Sequence, residues 1–261
     1  VKMSNNNDAK IKNKSLQKAL KTLNCFIEKQ PLGITEISEA LGLYKSNVYD
    51  ILSTLSAMGY VQQNPETGKY SLGFSCLRLG RAARESFGFN QLAASHIREI
   101  SRETGEICSL TIPQDDKIFY LDVATPADNT FMQFYLNNTM ESMHCTSCGK
   151  SMLAFMPQSY VDEYLTKPME KKTVHTITDP DVMRAELEKI RLYGYAIDDE
   201  EHSIGLRCVA APILNHASEP VAAISVSGPS PRFTDEKTEQ FAKLLRRHAK
   251  ELSSVFELSP V

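Results

Sequence analysis

No apolar run in this 261-residue chain approaches the ~18 residues a membrane helix needs. The N-terminus is rich in lysine and asparagine and lacks any hydrophobic segment, so it does not read as a secretory signal. Internal repeats are missing. So is a second paired-cysteine motif to accompany Cys145-Thr-Ser-Cys148, and a closed zinc site needs four ligands. The lack of a membrane-length run and of a signal points to the cytoplasm, where the six cysteines (Cys25, Cys76, Cys108, Cys145, Cys148 and Cys208) read as free thiols and not as a disulfide framework. The length allows a sizeable core in one or two domains.

The net charge of −3 conceals an asymmetry. Residues 1–88 carry 12 Lys and Arg against 7 Asp and Glu, a balance of +5; the rest carries 17 against 25, a balance of −8. A basic N-terminal third joined to an acidic remainder suits a nucleic-acid module attached to a part that does not adhere to DNA.

The stretch from Ile34 to Gly73 carries the strongest pattern. Thr35 can cap a short helix in which Ile37, Ala40 and Leu41 recur at helical spacing. Gly42 falls where two helices must turn. Leu43, Val48, Ile51, Leu52 and Leu55 form the apolar stripe of a second helix, which Gly59 ends. Its other face is Lys45, Ser46, Asn47, Tyr49, Asp50, Ser53 and Thr54, the hydrogen-bonding surface a recognition helix requires. Tyr60 to Gln63 and Lys69 to Leu72 alternate like strands around the turn Asn64-Pro-Glu-Thr-Gly68. The whole reads as a winged helix-turn-helix over residues 15–73. Its expected DNA contacts are Thr35, Lys45, Ser46, Asn47, Tyr49, Asp50, Ser53 and the wing's Lys69.

Ahead of it, residues 1–14 read as a disordered arm. Ser15 is the expected cap of a first helix whose apolar face is Leu16, Ala19, Leu20, Leu23, Phe26 and Ile27. Residues 74–88 read as a linker helix, with Arg78, Arg81 and Arg84 on a basic side. From residue 89 to 258 the pattern is of helices mixed with a mainly antiparallel sheet, an α+β arrangement. A helix with Leu92, Ala93, Ile97 and Ile100 leads to a hairpin turning at Pro113 to Asp116, and a strand follows over 131–136. A short helix opens at Thr146 or Ser147, and Asp179-Pro180 starts another that closes at Gly194. Strands over Tyr195–Ile197, Leu206–Leu214 and Val221–Val226 precede a last helix capped near Thr234.

Within this part the residues favour a small anionic ligand. Ser147-Cys148-Gly149-Lys150 opens a helix, whose first N–H groups favour a carboxylate, and Gly149 permits close approach. Ser225 and Ser227 share one side of a strand, Cys208 stands on its neighbour, and Asp198 ends the strand before them.

These motifs resemble the IclR family of bacterial transcriptional regulators over about residues 15–256. They are SLQKAL, ITEISEALGLYKSNVYDIL, MGYV and GKYSLG, then HCTSCGKSMLAF, TITDP, GYAIDDEEHSIGLRCVAAPIL and AAISVSGPSPRFT. The resemblance implies a winged helix-turn-helix joined to a GAF-like α/β effector-binding domain. It implies a homodimer or homotetramer (a dimer of dimers) and control of a catabolic operon, as a repressor. No cofactor and no membrane partner are implied. It places the effector at Met132, Met140, Ser147, Cys148, Asp198, Leu206, Cys208, Ser225 and Ser227. The methionines would make an adaptable apolar wall, and the ligand would be a sugar-derived or aromatic acid. The chain departs from the family's pattern at Tyr44, Asn47 and Asp50, where proline, threonine and arginine are frequent. A carboxylate at Asp50 repels phosphate but can accept from cytosine N4. Two further readings remain open at this point. One is an enzyme using the Cys145/Cys148 pair or Asp198, with His144 as the nearby base, or a thiol or metal sensor using Cys145 and Cys148. The other is an architectural DNA-binding protein without a ligand.

Overall fold

The computed structural model describes residues 11–86, 89–126 and 139–257. Met132 and the strand expected over 131–136 lie outside the described residues. The chain forms two compact units that divide at residues 88/89.

In the first unit, α1 (Lys14–Glu28), α2 (Ile34–Leu41) and α3 (Lys45–Ala57) close around Phe26, Ile37, Val48, Leu52 and Leu55. Asn13, and not Ser15, caps α1, its Oδ1 accepting the Leu16 N–H at 2.9 Å. The expected Thr35 cap is also displaced. Gly33 holds the extended N-cap position, and the Glu36 carboxylate reaches back to accept the Gly33 N–H at 2.9 Å. A carboxylate one turn inside the helix satisfies the free donor that a cap hydroxyl would otherwise take. Gly42 adopts φ 63° between α2 and α3, a conformation a side chain rarely tolerates. Only part of the expected α1 stripe is buried: Phe26 is enclosed, while Leu16, Leu20 and Ile27 remain exposed.

Strands β1 (Val61–Gln63) and β2 (Tyr70–Leu72) pair antiparallel, with Val61 opposite Leu72, as a wing. Reciprocal backbone bonds of 2.9 and 2.8 Å between Leu32 and Tyr70 tie the wing to the α1–α2 connection. Helix α4 (Phe74–Ser86) follows.

The second unit is built on a six-stranded antiparallel sheet in the order β5-β4-β3-β8-β7-β6. The strands are β3 (Ile107–Gln114), β4 (Lys117–Ala124), β5 (Met140–Ser142), β6 (Ala196–Asp199), β7 (Leu206–Leu214) and β8 (Pro220–Pro229). Helices α5 (Phe89–Thr104) and α9 (Asp235–Glu257) cover one face, packing Ile97, Ile100, Leu245 and Leu252 on Leu110, Val209, Ile224 and Val226. Helices α6 (Ser147–Leu153), α7 (Gln158–Leu165) and α8 (Pro180–Tyr193) cover the other, with Met152, Val161 and Leu187 against Ile107, Ala210 and Ala223. Asp179 caps α8 by accepting from Asp181 and Val182, and Gly194 ends it at φ 73°.

Several boundaries differ from the expectation. The β3–β4 strands run on through Gln114, leaving a turn of only Asp115 and Asp116. Asp115 adopts φ 51°, which aspartate tolerates and which lets so short a loop match the strand twist. Asp198 lies inside β6 and does not end it. Helix α7 and the edge strand β5 were not expected, the one being a single short amphipathic stretch and the other only three residues long.

Leu52 is fully enclosed in the first unit's small core. Leu52→Ala is expected to cost about 2–5 kcal/mol in urea denaturation, the range for truncating a buried leucine.

Candidate functional site

The outer face of α3 is polar and exposed. Val48, Leu52 and Leu55 turn inward, which forces Lys45, Ser46, Asn47, Tyr49, Asp50 and Ser53 outward, and all six are exposed. Thr35 is exposed in the first turn of α2. Lys69 is placed differently from its expected role. Its Nζ lies 3.1 Å from Glu36 Oε2, while Lys29 Nζ lies 2.9 Å from Oε1 of the same carboxylate. The Gly33 N–H and the two ammonium groups hold the Glu36 carboxyl down at about 2. A phosphate must therefore compete with Glu36 for Lys69. Sequence reasoning missed Glu36, although its place three residues after the cap position is the available signal.

In the second unit, alternation along the strands gathers the polar residues of the sheet on the face covered by α6. Asp198 on β6 stands opposite Cys208 on β7, and Cys208 opposite Ser227 on β8. One step along, Ala210, Ser225 and Ser109 stand in register across β7, β8 and β3, and Thr111 lies opposite Ala223. Leu206 shares this face at the start of β7, half-buried. Cys148 of α6 directs its thiol to Ser225 and Thr111. Asp198 is buried and accepts the N–H groups of Glu201 and His202 at 2.8 and 3.2 Å; burial pushes its carboxyl up nonetheless. Burial also pushes the Cys148 thiol up to about 11 and that of Cys208 well above its ordinary value, so both are neutral groups here, unsuited to nucleophilic work. Among the described residues, the fully buried Ser109 Oγ has no hydrogen-bond partner. Such an orphan costs on the order of 1–3 kcal/mol. Ser109 and Thr111 were missed, although their spacing repeats that of Ser225 and Ser227.

Two expected positions are not brought to this face as foreseen. Met140 is opposite Phe119, whose ring packs with the α5–α9 core, so Met140 turns to that side of the sheet and stays partly exposed. Its neighbour Glu141 has the opposite orientation and pairs with His202 at 3.1 Å. Gly149 is needed for a different reason from ligand approach. A Cβ there would overlap the Cα and carbonyl oxygen of Met143 and crowd Thr146 Oγ1. Its N–H is already taken by Thr146 Oγ1 at 3.1 Å. The Gly149 N–H is therefore not free for a carboxylate, while the sheet hydroxyls offer polar partners on the facing side. Ser147 and Lys150 are buried with the rest of α6, and the Lys150 ammonium is bonded to Glu201 and lies 3.8 Å from Glu186.

His144, Cys145 and Cys148 do not converge. The His144 ring lies 3.3 Å from Tyr164 Oη and 2.9 Å from the Glu170 carbonyl, and burial lowers its pKa. The Cys145 thiol faces the Ser142 carbonyl, and burial pushes it up to about 12.

Comparison with known proteins decides what this pairing of units is. The family model for the IclR helix-turn-helix domain matches residues 15–65, and that for the bacterial transcriptional regulator IclR C-terminal domain matches residues 82–254. The chain belongs to the IclR family. It is similar to the regulator KdgR of Dickeya chrysanthemi, 31% identical over 240 residues that cover 92% of this chain and 78% of KdgR. The transcriptional repressor IclR of Escherichia coli is 29% identical over 250 residues, 93% of this chain and 89% of the repressor. The crystal structure of Thermotoga maritima IclR matches with a TM-score of 0.75 at 33% identity, covering 93% of this chain and 98% of its own. An IclR homolog of Microbacterium hydrocarbonoxydans complexed with 4-hydroxybenzoate matches at TM-score 0.82, covering 94% and 100%. At 19% identity that likeness carries the fold alone. This IclR-family member is thus a DNA-binding transcriptional regulator, and its relatives are named as regulators, not enzymes. No helix among the described residues is long and apolar enough to cross a membrane.

Two outcomes are expected. Because the Glu36 carboxyl is held below its ordinary 4.5, its contribution is present above about 4.5 and lost as pH falls through about 2. Glu36→Gln should remove that contribution at neutral pH and flatten the acid side of the first unit's stability curve, read by urea melts at stepped pH. Gly149→Ala should destabilise the second unit by about 1–3 kcal/mol, the cost of overpacking a filled core, seen in thermal or urea unfolding.

Proposed function

We propose that this regulator represses a catabolic operon and that a small organic acid, seated on the α6-covered face of the sheet, alters its hold on the operator. One observation carries the reading: Ser109 Oγ is buried and unpartnered beside Ser225, in a row that continues through Ser227, Cys208 and Asp198. A ligand carboxylate or hydroxyl supplies the missing partner, since buried polar groups are otherwise paired. The neutral thiols and hydroxyls favour a ligand whose charge is met by hydrogen bonds, either a sugar-derived or an aromatic acid. A protein of the same fold has been crystallised with 4-hydroxybenzoate, a small aromatic acid.

Lys45, Ser46, Asn47, Tyr49, Asp50 and Ser53 meet base edges and phosphates in the major groove, with Thr35 and the wing's Lys69 on the backbone. The protein acts in the cytoplasm as a homodimer or a dimer of dimers, so that two wings are set on a pseudo-palindromic operator. The ligand shifts the population of DNA-competent arrangements only as far as it binds one arrangement better than the other.

The full-length protein, titrated into labelled operator DNA by fluorescence anisotropy, checks both halves. Lys45→Ala should weaken binding and lower the salt slope by about 1. A panel of sugar-derived and aromatic acids, first screened by thermal shift, should contain one that changes operator affinity. Ser109→Val and Ser225→Ala should each raise its dissociation constant about tenfold, or about 1.4 kcal/mol. Acids that stabilise the protein yet leave operator affinity unchanged, or that bind both variants as well as the parent, would overturn the reading.

A further inference from the structure

On the face of the sheet away from the proposed ligand, α5 and α9 meet through three side chains with no part in the mechanism above. His96 stands on α5; His248 and Glu251 stand three residues apart on α9, and so share one side of that helix. Nδ1 of His96 lies 2.8 Å from Nδ1 of His248 and 3.9 Å from Glu251 Oε2. One ligand atom from each residue falls within 4.8 Å of the others. His248 is buried, His96 half-buried and Glu251 exposed. Among the described residues this is the one group of three or more His, Cys, Asp and Glu side chains that converges in this way.

Two facing Nδ1 atoms can share one proton, or both can present lone pairs to a cation between them. In a tetrahedral site with bonds of about 2.0–2.1 Å, neighbouring ligand atoms are about 3.3 Å apart. The two nitrogens must open by about 0.5 Å, and the carboxylate must close on His96 by about 0.6 Å and on His248 by up to about 1.5 Å, to reach that separation. Small ring rotations and the exposed Glu251 stem permit both. Two imidazoles with one carboxylate is a donor set of the zinc class and not of magnesium or calcium, which take oxygen.

We propose that His96, His248 and Glu251 form a site for a divalent transition metal of the zinc class, which pins α5 to α9 and keeps a fourth position open to solvent. This proposal does not depend on the effector reading. Binding moves the His248 proton from Nδ1 to Nε2 and leaves the Nδ1 lone pair for the metal. Arg247 Nη2 lies 3.4 Å from that Nε2 and must turn away. Glu103 already stands 3.9 Å from it as an alternative partner. Glu99 and Glu251 add negative charge near His248, and Arg247 and the facing His96 ring oppose it. Protons compete with the metal for the imidazole nitrogens, so affinity falls as pH drops.

The test uses the full-length protein stripped with chelator, then titrated with Co2+ and with Zn2+. Co2+ should bind at one equivalent per chain, giving visible d–d absorption without a thiolate-to-cobalt charge-transfer band. Zn2+ should raise the thermal midpoint. His96→Gln should weaken Co2+ binding about 100-fold and Glu251→Gln about tenfold. Both positions are at least partly open to solvent, so these variants test the site even if the buried His248 does not tolerate change. Failure of the parent protein to bind Co2+, a thiolate band marking a cysteine site, or unchanged affinity in His96→Gln would each overturn the assignment.

Discussion

The two-residue period of strand β8 governs the second unit. Ile224 and Val226 point into the core made with α5 and α9, while Ser225 and Ser227 point to α6. Its neighbours obey the same alternation: Leu110 and Val209 face one way, and Ser109, Cys208 and Ala210 the other. A slip of one residue would put hydroxyls into an apolar core and Ile224 and Val226 where the ligand is proposed to sit. Register is therefore held by the hydrophobic core on one side, and the polar face is its consequence.

The first unit repeats this logic with a helical period. Burying Val48, Leu52 and Leu55 leaves α3 no choice about which side chains it presents outward. Charge then refines the surface. Glu36 satisfies the start of α2 and draws in Lys29 and Lys69, so part of the positive charge counted in the sequence is already spent within the unit. In the proposed DNA contact the salt-sensitive grip would consequently rest more on Lys45 and on hydrogen-bonding groups than the count of lysines implies.

Acceptors and thiols show how far burial alters chemistry. Cys145 and Cys148 have the spacing of a redox or metal pair, yet each thiol is drawn to a separate partner and kept protonated by desolvation. His144 is likewise a neutral ring used as packing and hydrogen-bonding material around Tyr164 and the Glu170 carbonyl. Spacing in sequence brought these residues near one another without pointing their donor atoms at a common centre.

What was legible in the residues alone was whatever a few neighbouring positions decide. The helical stripe of α3, the turn at Gly42, the Asp179-Pro180 start and the shared side of Ser225 and Ser227 are all local, because backbone preference and side-chain period act over a single turn or strand. Tertiary structure alone decided the rest. The face taken by Met140 follows from the pairing of an edge strand with β4. The need for glycine at 149 comes from the Met143 backbone folded over it. The engagement of Lys69 comes from Glu36, 33 residues away, and His96 meets His248 across 152 residues. Such contacts are set by register and packing between distant segments, which no local pattern encodes.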